Sequence, residues 1–200
     1  YNSINIKPIK YGVGIRITRE LLEDGKWDLL EKNIATAGKR FAENENSLVI
    51  AQLDAAATSN SGGAALTIAD ITLSMQDLQD KDYEANTLLL GVEAQKDLRN
   101  IDTFVEADKL GSREMLETGM LGTIFGMKVF GFSTNAAPTT THAKYAYVLD
   151  STEAYYIVEK RPVSVERFEL YSSDMSAAVA TQRIAVQIMR TQAVSRTTTS

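Results

Sequence analysis

Cysteine is absent from the 200-residue chain, so disulfides, cysteine nucleophiles and thiolate metal sites are excluded together. Histidine occurs once, at His142, and a histidine pair for zinc is therefore impossible. Its surroundings, NAAPTTTH, read as a turn or loop that leaves the ring in solvent. No apolar run approaches the roughly twenty residues that a bilayer-crossing helix needs. Basic residues number 21 against 26 acidic ones, a net charge of -5. That balance argues against a protein whose main task is gripping nucleic acid phosphates. Catalytic signatures are missing too: there is no G-x-S-x-G, no phosphate loop ending in G-K-[ST] and no dinucleotide fingerprint. Glu23 and Asp24 are adjacent on a helix and point about 100° apart, which suits dipole complementation better than acid–base work. No catalytic, cofactor-binding or metal-ligating residue is assigned. The chain begins at Tyr1 without an initiator methionine or a charged-then-apolar leader, which reads as processing or trimming.

What is present is an ordinary globular composition, 44% hydrophobic and 24% charged, long enough for one large domain or two small ones. The stretch from Ile17 to about Leu53 organises it. Thr18 is placed to cap a first helical turn, and Glu20, Glu23 and Asp24 follow at its positive end. Leu22, Leu29 or Leu30, Ile34, Ala37 and Phe41 recur at helical spacing, with Lys26, Asp28, Glu31, Lys32, Lys39 and Arg40 mostly off that stripe. The pattern predicts a long amphipathic helix, in two parts if it bends or breaks near Gly25 or Gly38.

Before it, Ile4 and Ile6, then Val13, Ile15 and Ile17, alternate as an extended segment. Pro8 confines that segment to an edge or a projecting loop. It reads as an edge arm or as an arm reaching a neighbouring subunit. After the helix, Thr58–Gly63 reads as a flexible connection and a first domain boundary. Thr67 or Asp70 caps a short helix carrying Ile71, Met75 and Leu78. NTLLLGV (86–92) predicts a buried strand, and Glu93–Arg99 a helix begun just past it, an α/β layer. Residues 102–122 read as loop and LGTIFGMKVFGFS as a strand. Tyr145–Leu149 and Ala154–Val158 read as a hairpin, their tyrosines as sheet packing. From Arg161 the chain turns β-rich, with a phase shift calling for a bulge near Glu166 or Arg167. SSD (172–174) marks a turn. Ile184, Val186 and Ile188 then share one face, with Arg183, Ala185 and Gln187 on the other. The tail SRTTTS is polar and reads as fraying. The basic residues gathered towards the end, Arg183 and Arg190 among them, suit a mixed surface or a subunit contact.

Several of these pieces together resemble the Hong Kong 97-type major capsid proteins of tailed viruses. YGVGIRITRELLEDGKWDLLEKNIATAGKRFAENEN is similar to that family's strand leading into its long spine helix. LGTIFGMKVFGFS resembles its spaced-glycine strand pattern, here Leu121, Gly122, Gly126 and Val129. RPVSVERFELYSSDMSAAVATQRIAVQIMR resembles its closing β-ribbon. The resemblance implies an α+β chain: a peripheral β-sheet domain from 1–58 and 159–200 with the spine helix, and an axial α/β domain from 59–158. Ile4–Ile17 would be the returning strand of the family's projecting loop, whose outgoing strand and N-terminal arm are not in this chain. Candidate subunit contacts are Ile4, Ile6, Lys7, Lys10, Tyr11, Arg16, Arg183 and Arg190. Some members join subunits through a lysine–asparagine isopeptide bond. Lys7 and Lys10 lie in the corresponding region, but no asparagine or glutamate can be matched, and that chemistry is not carried over.

The function implied is structural. The chain would self-assemble as pentamers and hexamers of an icosahedral shell enclosing a viral genome, with no cofactor and no enzymatic step. Partners implied are further copies of itself, packaged double-stranded DNA by non-specific contact, and decoration, portal or scaffolding proteins, with no membrane. It would be built in the host cytoplasm and reside in the virion. Two alternatives stand beside this: an encapsulin shell around a cargo enzyme, and a soluble α+β hydrolase or binding domain with a sizeable apolar pocket.

Overall fold

The computed structural model describes residues 4–24, 29–101, 120–133 and 140–199. The expected bend at Gly25, most of the loop expected over 102–122 and Asn135–Thr139 of the NAAPTTTH turn lie outside the described residues. Strand β1 (Ile9–Thr18) leads into helix α1 (Arg19–Asp24) and then the 28-residue helix α2 (Leu29–Ala56). The first amide of α1, on Arg19, donates to the Asp174 carbonyl at 3.0 Å. Along α2 the expected stripe is buried at Ala37 and Phe41, and Ile50 and Leu53 continue it, while Lys39 and Arg40 are exposed.

The chain forms two compact units, Tyr1–Glu45 with Ile157–Gln187 and Asn46–Tyr156 with Ile188–Ser200. The second half of α2 and the C-terminal residues pack with the middle of the chain: Ile50 and Leu53 share a core with Tyr147, Leu149 and Val194.

The first unit holds a three-stranded sheet in the order β1-β8-β7, with β7 (Tyr155–Leu170) and β8 (Met175–Ile188). β1 runs antiparallel to β8 in unbroken register from Ile9↔Ile184 to Thr18↔Met175. Pro8 stands just outside β1 and Pro162 lies within β7, both consistent with edge strands, where a missing donor is tolerated. Asp174, at φ 46°, makes the turn between β7 and β8 where SSD predicts one. β7 runs as one continuous strand through Glu166 and Arg167, where the sequence calls for a bulge, and Val163, Val165 and Phe168 are all exposed.

The second unit holds a six-stranded mixed sheet in the order β2-β9-β6-β3-β5-β4. Its strands are β2 (Thr58–Ser61), β3 (Thr87–Leu90), β4 (Met120–Ile124), β5 (Met127–Gly131), β6 (Tyr145–Leu149) and β9 (Val194–Thr198). Helices α3 (Ile68–Gln79) and α4 (Val92–Arg99) complete it. Thr67 caps α3 in a reciprocal capping box with Asp70, so both residues singled out in the sequence take part. Ile71 and Leu78 of α3, Ala94 and Leu98 of α4, and Leu88, Leu90, Met127 and Val129 of the sheet form one core. Each large apolar side chain buried there contributes about 1.5–3 kcal/mol. Gly91 begins α4 where a Cβ would overlap the carbonyls of His142 and Ala143, so only glycine fits.

Four local expectations are corrected. Thr58–Ser61 is not a flexible connection but strand β2, paired parallel with β9. The tail does not fray: β9 sits between β2 and β6, with Ser195 and Thr197 buried. Their hydroxyls are bonded, Ser195 donating to Asp77 at 3.1 Å and Thr197 lying 2.7 Å from Ser74 Oγ, which removes the cost of burying them. LGTIFGMKVFGFS is a hairpin, β4 and β5, rather than one strand. Finally, β6 and β7 do not pair with each other but belong to different sheets. Asp150 turns the chain away after β6, accepting from the Thr152 amide and hydroxyl and from Asn86.

Candidate assembly surfaces

β1 carries three of the predicted contact residues of the first unit, Lys10, Tyr11 and Arg16. Its odd-numbered residues from Tyr11 to Ile17 are the more buried and stand opposite Gln182, Ala180, Ala178 and Ser176. Gln182 donates to Glu45 of α2, so this is the face that looks towards the helix. Lys10, Gly12, Gly14 and Arg16 alternate onto the other face, with Lys10 directly opposite Arg183. Like charges in that position repel by a few tenths of a kcal/mol or more. Arg183 Nε is buried and has no hydrogen-bond partner among the described residues. This face therefore combines three cations, Lys10, Arg16 and Arg183. Ile4 is 46% exposed, Ile6 half-buried and Lys7 exposed.

At the other edge of the sheet, β7 leaves Ile157, Val163, Val165 and Phe168 between 43% and 49% exposed. Tyr171, in the following turn, is 84% exposed. A long edge strand with apolar side chains and unpaired backbone groups is what a pairing surface requires and what an isolated soluble monomer avoids.

The remaining predicted residue, Arg190, belongs to the second unit. Its Nε donates to Glu153 at 3.0 Å. That carboxylate, with the Tyr83 hydroxyl, holds its guanidinium still more firmly protonated than usual. It lines an open surface recess with Tyr83, Met189, Thr191 and Gln192.

His142 corrects its prediction. It is buried in a 3-10 turn (Thr140–Lys144), with Nε2 3.3 Å from Asp54 Oδ2 and its ring edge-on to Tyr145. Asp54 also pairs with Arg196 and accepts from the Tyr147 hydroxyl at 3.4 Å. Arg196 continues to Ser59 Oγ at 3.0 Å and lies over the Tyr145 ring, 4.8 Å from its centroid. Burial and the neighbouring Asp54 push the Tyr147 hydroxyl far above its ordinary range, so it stays a neutral donor. The cluster ties α2, β2, β6, β9 and the 3-10 turn together. No local motif signals it, because its members come from positions 54, 59, 142, 145, 147 and 196.

Among the described residues, no group of acidic and histidine side chains could hold a metal, and no helix is long and apolar enough to cross a membrane.

Comparison with known proteins gives a consistent result. A family model described as phage capsid protein matches residues 1–195. No curated protein matches. Among solved structures, a chain of Mycobacterium phage Che8 superposes with a TM-score of 0.75 at 16% identity, covering 94% of this chain and 70% of that one. A chain of Microbacterium phage Oxtober96 gives 0.76 at 16% identity, covering 98% and 73%. The capsid of a native GTA particle gives 0.72 at 15% identity, covering 98% and 74%. At such identities these likenesses speak for the fold.

Proposed function

The chain belongs to the phage capsid protein family, and from that premise we propose how this structural subunit, with its Hong Kong 97-type fold, makes its shell. A capsid subunit acts through its interfaces, and in this reading it carries no catalytic step. The observation that carries the proposal is the β1-β8-β7 sheet with both edge strands open. The apolar β7 edge and the basic face of β1 are surfaces for neighbouring copies, with Lys10, Arg16 and Arg183 receiving carboxylates or backbone carbonyls. Ile4, Ile6, Lys7 and Tyr11 extend that contact, and Arg190 belongs to a separate one. Pentamers and hexamers are the intermediate rings. The peripheral and axial roles are assigned to 1–58 with 159–200 and to 59–158, as the sequence suggested. Packaged double-stranded DNA meets the wall only by weak, non-specific contact, because a net charge of -5 does not favour gripping its phosphates. Assembly takes place in the host cytoplasm, with portal, scaffolding or decoration proteins as further partners.

The test is charge reversal on the β1 face. Lys10→Glu combined with Arg16→Glu changes two exposed side chains, so the subunit is expected to fold and to lose shell formation. Unchanged assembly removes these residues from the interface. Nucleic acid inside the purified particles supports the virus reading, and a co-purifying protein cargo supports an encapsulin.

A further inference from the structure

The β4–β5 hairpin carries an anomaly that its own unit does not explain. Ile124 pairs with Met127, leaving a two-residue loop of Phe125 and Gly126, at φ 49° and 82°. Two positive φ values in a two-residue hairpin describe a type I′ turn, whose first position favours asparagine, aspartate or glycine. A bulky aromatic residue in the left-handed region is a true outlier, because its Cβ crowds the backbone. Phe125 is also 53% exposed. Fraying does not relieve the strain: Met127 and Val129, just behind the tip, are fully buried in the core. The position therefore combines a disfavoured backbone with a wet aromatic ring, on a hairpin held firmly from behind. Strain of this kind persists where it serves a contact.

We infer that Phe125 is an anchor that a second copy of this chain receives in the assembled shell. The inference rests on the capsid reading above, which makes another copy the partner. Among the described residues the hairpin forms the outer end of the six-stranded sheet, with β4 as its edge strand, and the Phe125 ring at its tip is exposed to a neighbour. One protruding ring on each copy entering a different patch on the next is a heterologous contact, the type that closes rings. Aromatic anchors of this kind dominate interface energetics.

The experiment compares wild type with Phe125→Asn, the substitution the turn itself favours. The isolated variant subunit is expected to melt at the same temperature as wild type or higher. Its concentration threshold for assembly is expected to rise by about tenfold or more, the loss typical of an interface anchor. Phe125→Tyr, which keeps the ring, is expected to assemble near the wild-type threshold. Assembly of Phe125→Asn at the wild-type threshold overturns the inference and leaves the capsid reading standing. Failure of wild type itself to assemble overturns both. Hydroxyl-radical footprinting of wild type needs no variant: protection of Phe125 in shells relative to free subunits supports the anchor, and equal labelling overturns it.

Discussion

Asp54 is where the buried polar contacts of the second unit converge, with Arg196, His142 and Tyr147 all within reach of its carboxylate. Asp54→Ala leaves those groups facing an empty site, and a loss of about 2 kcal/mol is expected from unsatisfied buried donors. Denaturant unfolding of dissociated subunits measures it. Gly91→Ala is expected to cost about 3 kcal/mol, because its methyl group would meet backbone carbonyls rather than a side chain that can swing away. Asp150 supplies a pH dependence. Burial raises its pKa, but donors from Thr152, Glu84 and Asn86 outweigh this and hold it below the ordinary carboxylate value. A depressed folded pKa gives stability that is present above about pH 4 and lost as pH falls through the folded value. Melting curves from pH 7 downwards are expected to show this acid loss in wild type, and less of it in Asp150→Asn, which starts from a lower melting temperature at pH 7. At this scale the sequence is a partial guide. The cap of α3 is local: Thr67 and Asp70 were read as alternative caps, and in the structure both take part. The burial of His142 depends on Asp54, 88 positions away, and nothing near His142 announces it.

Elements whose apolar pattern is local were readable: α2, β3 with α4, and the alternation of β8, where Ile184, Val186 and Ile188 are buried as expected. Polar strands were not. β2 and β9 read as linker and tail because Thr, Ser and Asn usually mark loops, and their burial depends on Asp77 and Ser74 of α3 answering them. Ser74→Ala with Thr197→Val is expected to show a coupling of about 1 kcal/mol in a double-mutant cycle, since both hydroxyls are buried and 2.7 Å apart. β1 supplies the complementary prediction. Ile17 is only 5% exposed, so Ile17→Asp buries an unpaired charge on the helix-facing side of β1 and is expected to cost several kcal/mol. Ile15 is half-buried and should lose less to the same change. Equal melting temperatures for wild type and Ile17→Asp would contradict that placement of β1.

At the scale of the whole molecule, the order of a long helix, a glycine-spaced hairpin and a closing β-ribbon identified the architecture, although each motif alone is degenerate. The family match over residues 1–195 and the fold agree with it. How the chain divides into compact units depends on where the end of α2 and the C-terminal strand pack. In the proposed shell, the exposed apolar residues on β7 and the strained Phe125 are the parts that neighbouring copies cover. The most direct test of the central claim is the particle mass of the purified chain, by light scattering with electron microscopy. Closed shells, or the pentamer and hexamer rings that build them, are the predicted result. A 22.0 kDa monomer that persists at high concentration would contradict it.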